Sequence, residues 1–305
     1  MARPAFVRTS DERFRDLPGY AFAPHYLDWN GLRIHHLDEG PRDAPVMLLL
    51  HGEPSWSYLY RKVIPRLVAG GYRCVAPDLV GFGRSDKVTL DDWYVIERHC
   101  EALRIVIERL DLRRITLVCQ DWGGPLGLRQ AVDMPERFER LFIANTWLHH
   151  EGFEYSPGIR RWREAALDPG KLGGDMRTGR IVAGSLRRPG HDLAAVARAY
   201  DAPFESVESK AGARRFPVCI PFAEPELGNA IDQQRCFEAI RRTPKPVHFA
   251  FGDADEVFPY SWAERWHGLV AGSTLDRIAG AGHFVQEDAS DELAEVILRR
   301  AGRAG

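Results

Sequence analysis

Several features that would place this chain in a familiar class are missing from it. No Gly-x-Ser-x-Gly pentapeptide occurs, which argues against a serine esterase. No apolar run is long enough to span a bilayer. Residues 1–16 are polar and carry no apolar stretch of the kind a secretory signal needs. Cysteine is sparse. Cys74, Cys100, Cys119, Cys219 and Cys236 are scattered, with no CxxC or metal-ligand spacing, so reduced and mostly buried thiols are expected, with no metal. Neither sign of charge dominates: the formal net charge is −2, which gives no reason to expect nucleic acid or an anionic membrane as a partner. A cytoplasmic enzyme, monomeric and without a cofactor, is the expectation.

What is present is a chain long enough for a large core, at 305 residues, with 45% hydrophobic and 28% charged residues. Asn30-Gly31 separates two apolar runs and predicts a tight hairpin. Val46-Met47-Leu48-Leu49-Leu50 reads as a strand buried on both faces. Further strands are expected at 73–76, 115–119, 140–145, 247–251 and 274–278. Helices are expected at 57–69 (interrupted by Pro65), 92–110, 123–132, 261–270 and from about 290. Residues 78–87 read as a loop. Strands alternating with helices imply an α/β fold with a mostly parallel sheet and right-handed crossovers. The alternation fails between Trp147 and Phe222, where the chain is rich in Arg, Gly and Ala. That stretch reads as a helical cap (147–222) inserted into a core made of 1–146 and 223–305.

The chemistry concentrates where strands end, the usual place for a site in an open α/β sheet. The run Ile115 to Cys119 stops at Gln120-Asp121-Trp122-Gly123-Gly124. A strand, one reactive side chain, two glycines and a helix make up a nucleophile elbow. Here the lifted residue is Asp121. A carboxylate can attack a saturated carbon and form an ester that water then cleaves. Three other loops follow strands: His51-Gly52-Glu53-Pro54, Phe251-Gly252-Asp253-Ala254-Asp255, and Ala279-Gly280-Ala281-Gly282-His283-Phe284. Nucleophile, acid and histidine thus occur in the α/β-hydrolase order.

These stretches, with Ser55-Trp56-Ser57-Tyr58-Leu59-Tyr60-Arg61-Lys62, Gly81-Phe82-Gly83-Arg84-Ser85-Asp86-Lys87 and Val285-Gln286-Glu287, resemble the haloalkane dehalogenases of the α/β-hydrolase superfamily. The resemblance covers nearly the whole chain and is weakest in the cap. It is closest to the subfamily with its triad acid after the late strand and two halide-binding tryptophans. It implies hydrolysis of small halogenated aliphatic compounds to a primary alcohol, a halide ion and a proton, with water the only co-substrate. It implies Asp121 as nucleophile, His283 as base and Asp255 as the partner that holds the ring. The backbone N–H groups of Glu53 and Trp122 become the oxyanion hole, and the indoles of Trp122 and Trp162 bind the halide. Trp147 is the rival to Trp162, and Asp253 the rival to Asp255.

Blander roles compete with each of these. Asp121 fits a helix N-cap, His283 a helix-capping side chain, Asp253 a turn residue, and His51 a support for its own loop. The pairs His35-His36 and His149-His150 point opposite ways if extended, which makes poor metal sites. Pro125 and Ile159 mark places where the pocket wall departs from better-known relatives. The rival activity is an epoxide hydrolase, which needs acidic donors to the opening ring, and the cap offers Tyr155 and Tyr200. A fluoroacetate-type dehalogenase is expected to show Arg after the nucleophile, where Trp122 stands. A non-catalytic binder on the same scaffold is the remaining alternative.

Overall fold

A strand of Val-Met-Leu-Leu-Leu has no polar face to give to water, so it must lie at the centre of a sheet. The computed structural model describes residues 4–302, leaving the first three of the polar N-terminal residues outside it. It places Val46–Leu50 in the interior of an eight-stranded sheet, with every residue buried. The strands are β1 (Phe6–Val7), β2 (His25–Trp29), β3 (Leu32–Glu39), β4 (Val46–Leu50), β5 (Arg73–Pro77), β6 (Lys87–Val88), β7 (Ile115–Gln120), β8 (Phe138–Ala144), β9 (Val247–Gly252) and β10 (Thr274–Ile278). The large sheet runs β10-β9-β8-β7-β4-β5-β3-β2. Its strands are parallel from β5 to β10, while β3 pairs antiparallel with both β5 and β2. The β2–β3 hairpin turns at Asn30 and Gly31, both at positive φ. The chain moves from β4 to β5 on one side and returns to β7 on the other. This reversal opens a crevice above β4 and β7, and the site lies there.

The helices are α1 (Ile64–Ala69), α2 (Ile96–Arg109), α3 (Gly123–Asp133), α4 (Pro157–Leu167), α5 (Thr178–Ser185), α6 (Leu193–Asp201), α7 (Ala211–Val218), α8 (Ala230–Arg241), α9 (Tyr260–Leu269), α10 (Val285–Asp288) and α11 (Ser290–Ala301). Between β8 and β9 the described residues form helices and no strand. Within that stretch α5 packs on α6 and α4 on α7, whereas α8 returns to the sheet side and packs on α3.

Three local expectations are corrected. The helix expected over 57–69 is a 3₁₀ turn at Ser57–Tyr60 followed by α1. Pro65 starts that second helix rather than breaking one, because the first turn needs no N–H from it. The helix expected from residue 92 begins at Ile96, after a 3₁₀ turn at Asp91–Trp93. The loop 78–87 ends in the two-residue strand β6, which pairs with β1, too short a pairing to leave a pattern in the sequence. All five cysteines are buried and free.

One buried ion cluster ties the helical stretch to the sheet. Glu287 on α10 receives the guanidinium fork of Arg61, with Nη1 on Oε1 and Nη2 on Oε2 at 3.1 Å. Lys62 Nζ donates to the same carboxylate at 2.9 Å, and Tyr200 Oη of α6 at 2.8 Å. Burial alone would raise the Glu287 carboxyl, but Arg61 and Lys62 outweigh it and hold it below its ordinary value. Its contribution to stability is therefore present above the ordinary carboxylate range and is lost as pH falls through the depressed value. Arg61→Met removes the buried cation of the cluster and leaves the Glu287 charge to the half-exposed Lys62 and to Tyr200. We expect it to cost about 3–5 kcal/mol, read as a lower urea midpoint at unchanged slope.

Candidate active site

The elbow is built by three backbone constraints. Asp121 has φ +51°, a left-handed conformation that non-glycine residues adopt only under local compulsion. Its N–H donates to Asn145 O at 3.0 Å, and its carbonyl accepts from Gly124 N at 2.9 Å and Thr146 Oγ1 at 2.5 Å. A Cβ on Gly123 would lie 2.5 Å from Leu50 O, so only glycine lets α3 begin this close to β4. A Cβ on Gly52 would lie 2.1 Å from Asp121 Oδ1 and 2.5 Å from the Trp122 nitrogen. Glycine at position 52 thus keeps free the space beside the carboxylate.

Around Asp121 the predicted residues converge. Glu53 N–H donates to Asp121 Oδ1 at 2.7 Å, while the other oxygen, Oδ2, lies 3.6 Å from His283 Nε2. His283 Nδ1 is 2.9 Å from Asp255 Oδ2. Where Asp255 accepts from Nδ1–H, Nε2 is the ring nitrogen turned toward Asp121. Asp255 is held in turn by the N–H groups of Val257 and Phe258 on Oδ1, at 2.8 and 3.0 Å. Asp253 points elsewhere: it accepts from Gly280 N–H at 2.6 Å and pairs with Arg277. His51 supports its loop, with Nδ1 2.9 Å from Gly52 O and Nε2 accepting from Leu79 N–H at 3.0 Å.

Sequence reasoning missed two neighbours. Asn145, at the end of β8, donates from Nδ2 to Asp255 Oδ2 at 2.9 Å and accepts from Gly252 N–H at 2.9 Å. Its positive φ of 33° is a conformation asparagine tolerates, but the sequence alone shows only the tail of a strand. Gln120, just before the nucleophile, reaches His283 at 3.0 Å.

The electrostatics oppose one another usefully. Burial pulls the His283 ring down, but Asp255 and Asp121 outweigh it and push it up to about 10. Glu53 is buried, and its Oε1 has no hydrogen-bond partner. Burial first, then the charge of Asp121, push its carboxyl well above the ordinary range and favour the neutral acid.

Above these groups lies a cavity of about 60 Å³, measured as the volume open to the centre of a water molecule. Asp121, Trp122 and His283 form its floor, and Ile159 and Trp162 of α4 reach it from the helical side. That volume admits on the order of four to six waters, or a substrate of few heavy atoms. Trp122 is fixed by stacking on Phe216 at 4.8 Å and edge-on against Trp147 at 4.8 Å. Among the described residues neither the Trp122 nor the Trp162 indole N–H has a hydrogen-bond partner. Trp147 also borders the cavity; it is buried, stacks on Phe258 at 5.0 Å, and its indole N–H likewise has no hydrogen-bond partner. A wider, more polar opening past Trp162 and His283 leads out between Arg161, Arg187 and Glu256.

The tyrosines expected of an epoxide hydrolase are used elsewhere. Tyr155 Oη lies 3.0 Å from His149 Nδ1, and Tyr200 Oη donates to Glu287. Among the described residues no tyrosine lines the cavity.

Residues 45–173 match the alpha/beta hydrolase fold family. A haloalkane dehalogenase from Psychrobacter cryohalolentis is 40% identical over 96% of this chain and 97% of its own length. One from Mycobacterium marinum is 41% identical over 96% of this chain and 98% of its own length. Among solved structures, the tetrameric haloalkane dehalogenase DpaA from Paraglaciecola agarilytica NO2 aligns with a TM-score of 0.88 at 37% identity, covering 97% of this chain and 98% of that one.

Proposed function

We propose, for a chain that belongs to the haloalkane dehalogenase family of the α/β-hydrolase fold, a division of labour among its site residues. The reaction is hydrolytic dehalogenation of a haloalkane. Asp121 Oδ2 attacks the carbon that bears the halogen. The new C–O bond forms as the C–X bond breaks, and the halide leaves with the electron pair. The indole N–H groups of Trp122 and Trp162 receive it. Two neutral donors suit this task, since a cation there would pair with Asp121 instead.

The product of that step is an alkyl ester on Asp121. His283 Nε2 takes a proton from water, and the water oxygen bonds to Asp121 Cγ. The negative charge that develops on Oδ1 falls to the N–H groups of Glu53 and Trp122, donors of a kind typically worth about 10²–10³ in rate each. The Cγ–Oδ2 bond then breaks, and the proton on Nε2 passes to the leaving alcohol oxygen. The hydroxyl left on Cγ ionises and restores the carboxylate. Asp255 stabilises the imidazolium in between. Glu53, favoured as the neutral acid, is suited to orienting the water beside His283 without repelling Asp121.

Esterification also tunes the base. Asp121 is one of the two carboxylates that raise the affinity of His283 for a proton, and the ester removes its charge. The ring loses part of that pull at the step that needs it unprotonated. Hydrolysis should accordingly fall as pH drops through a value below the 10 of the free enzyme, while alkylation stays level.

The observation that carries this reading is the contact line from Glu53 N–H through the two oxygens of Asp121 to His283 and Asp255. A single turnover in oxygen-18 water tests it. The label should enter Asp121 and the alcohol should carry unlabelled oxygen. Labelled alcohol in that first turnover would overturn it.

Residues 147–222 serve as a cap that closes the cavity and brings Trp162 to it. Trp162→Phe removes one donor to an anion and should weaken bromide binding about 10- to 100-fold, measured by quenching of tryptophan fluorescence. Trp147→Phe should leave it within about twofold. The reverse order would make Trp147 the donor. Among the described residues no helix is long and apolar enough to cross a membrane. The proposed form of the enzyme is a cytoplasmic monomer. Sedimentation at the 34.5 kDa of one chain supports the monomer, and a species of four chains, as in DpaA, overturns it.

A further inference from the structure

Gln120 ends β7 and is wholly buried. Its Nε2 lies 3.0 Å from His283 Nε2 and 3.2 Å from the His283 carbonyl oxygen. A carbonyl only accepts, so the second contact fixes which end of the amide faces the histidine: the nitrogen. One amide hydrogen serves the carbonyl, and the other meets the ring. His283 Nε2 must then accept, which it does only when the ring is neutral with its proton on Nδ1, the nitrogen facing Asp255. The orientation has a cost. Gln120 Oε1 is buried with no partner, and an orphaned acceptor of that kind is retained only against a penalty. Turning the amide over would bring Oε1 against the histidine carbonyl, acceptor against acceptor.

We propose that Gln120 is a positioning residue for ester hydrolysis: its amide N–H occupies His283 Nε2 and holds the ring oriented and neutral until the hydrolytic water displaces that N–H and gives its proton to the same nitrogen. The proposal rests on the reading of His283 as that base.

The groups facing the ring oppose each other. Asp255 and Asp121 draw a proton onto it. Glu53, on the loop after β4, is favoured as the neutral acid and adds little charge. Phe258 and Phe284 pack against its faces and edges at 5.0 and 4.8 Å. Arg161, Arg187 and Glu256 lie farther out, at the opening. Once Asp121 is an ester, the Gln120 donor works against one charged carboxylate instead of two. Among the described residues no hydrogen bond joins this amide to the Asp121 carboxylate, so alkylation does not depend on it in the same way.

Pre-steady-state kinetics separates the two half-reactions: bromide release from a short bromoalkane reports alkylation, and alcohol formation reports hydrolysis. Gln120→Met keeps the length and removes the donor. We expect its alkylation to stay within about threefold of wild type. The pH midpoint of hydrolysis should rise by about one unit, a tenfold loss at neutral pH that recovers at alkaline pH. Gln120→Glu, of the same shape but with an acceptor in place of the donor, should shift the midpoint further in the same direction. It also covers a failure of the Met variant to fold. Unshifted midpoints in the folded variants, or equal slowing of both half-reactions, would overturn the proposal. His283→Phe is the control. If that variant traps no ester, the base reading itself has failed. If it traps the ester while Gln120 variants titrate like wild type, only the role of Gln120 is lost.

Discussion

Treated with a short bromoalkane, the His283→Phe variant should release one equivalent of bromide and then stop. Its intact mass should rise by one alkyl group, and peptide mapping should place that group on Asp121. The reason is the separation of roles proposed for the site. Asp121 Oδ1 is held by Glu53 N–H, and Oδ2 is free to attack without help from the ring. Alkylation needs no proton transfer, whereas hydrolysis needs a base within reach of the water at Cγ, and His283 Nε2, 3.6 Å from Oδ2, occupies that place. Turnover should fall by on the order of 10⁴-fold or more, as when one member of a catalytic unit is removed. An epoxide given to the same variant serves as the contrast. With both cap tyrosines bound elsewhere, the cavity offers no acidic hydroxyl of theirs to an opening epoxide oxygen. An adduct formed only with the epoxide would reverse the assignment.

The second large effect is expected at the nucleophile. Asp121→Asn is nearly isosteric, and the amide oxygen can still accept from Glu53 N–H, so the elbow should keep its shape. It has no charge and little nucleophilicity. Dehalogenation should fall by about 10⁴–10⁶-fold, the range seen when a nucleophile is removed from an intact site. Bromide binding should survive, because the tryptophan donors remain. The assay needs a protein whose mass confirms the amide. Full activity in such a protein would show that another group attacks. A non-catalytic binder, in contrast, would show neither an ester in the His283 variant nor a loss in the Asp121 one.

These two variants address a site whose parts differ in how plainly they can be read along the chain. Asp121 stands between an apolar strand and a Gly-Gly helix start, and the strain of its φ of +51° is implicit in that punctuation. Glu53, Asp255 and His283 follow strands in the same way. Asp253 and Asp255 are a harder pair: both sit in one loop, and only the fold directs the first to Gly280 and Arg277 and the second to His283. The tyrosines reverse the lesson. By composition Tyr155 and Tyr200 suit an epoxide hydrolase, yet each is spent in a partnership with a residue that does not line the cavity. Gln120 and Asn145 left no signal beyond their polarity at a strand end.

The sequence by itself determined the alternation of elements, the order of the loops that carry the proposed catalytic residues, and the carboxylate on which the proposed chemistry rests. Those depend on local periodicity, on glycine placement and on the identity of one side chain, all written within a few residues of each other. Only the tertiary structure decided which polar groups meet. Gln120 and His283 lie 163 positions apart, Arg61 and Glu287 226, and Asn145 and Asp255 110. At such separations a hydrogen bond depends on sheet order and strand register, which bring β4, β7, β8 and β9 side by side. No pattern confined to one segment records that adjacency.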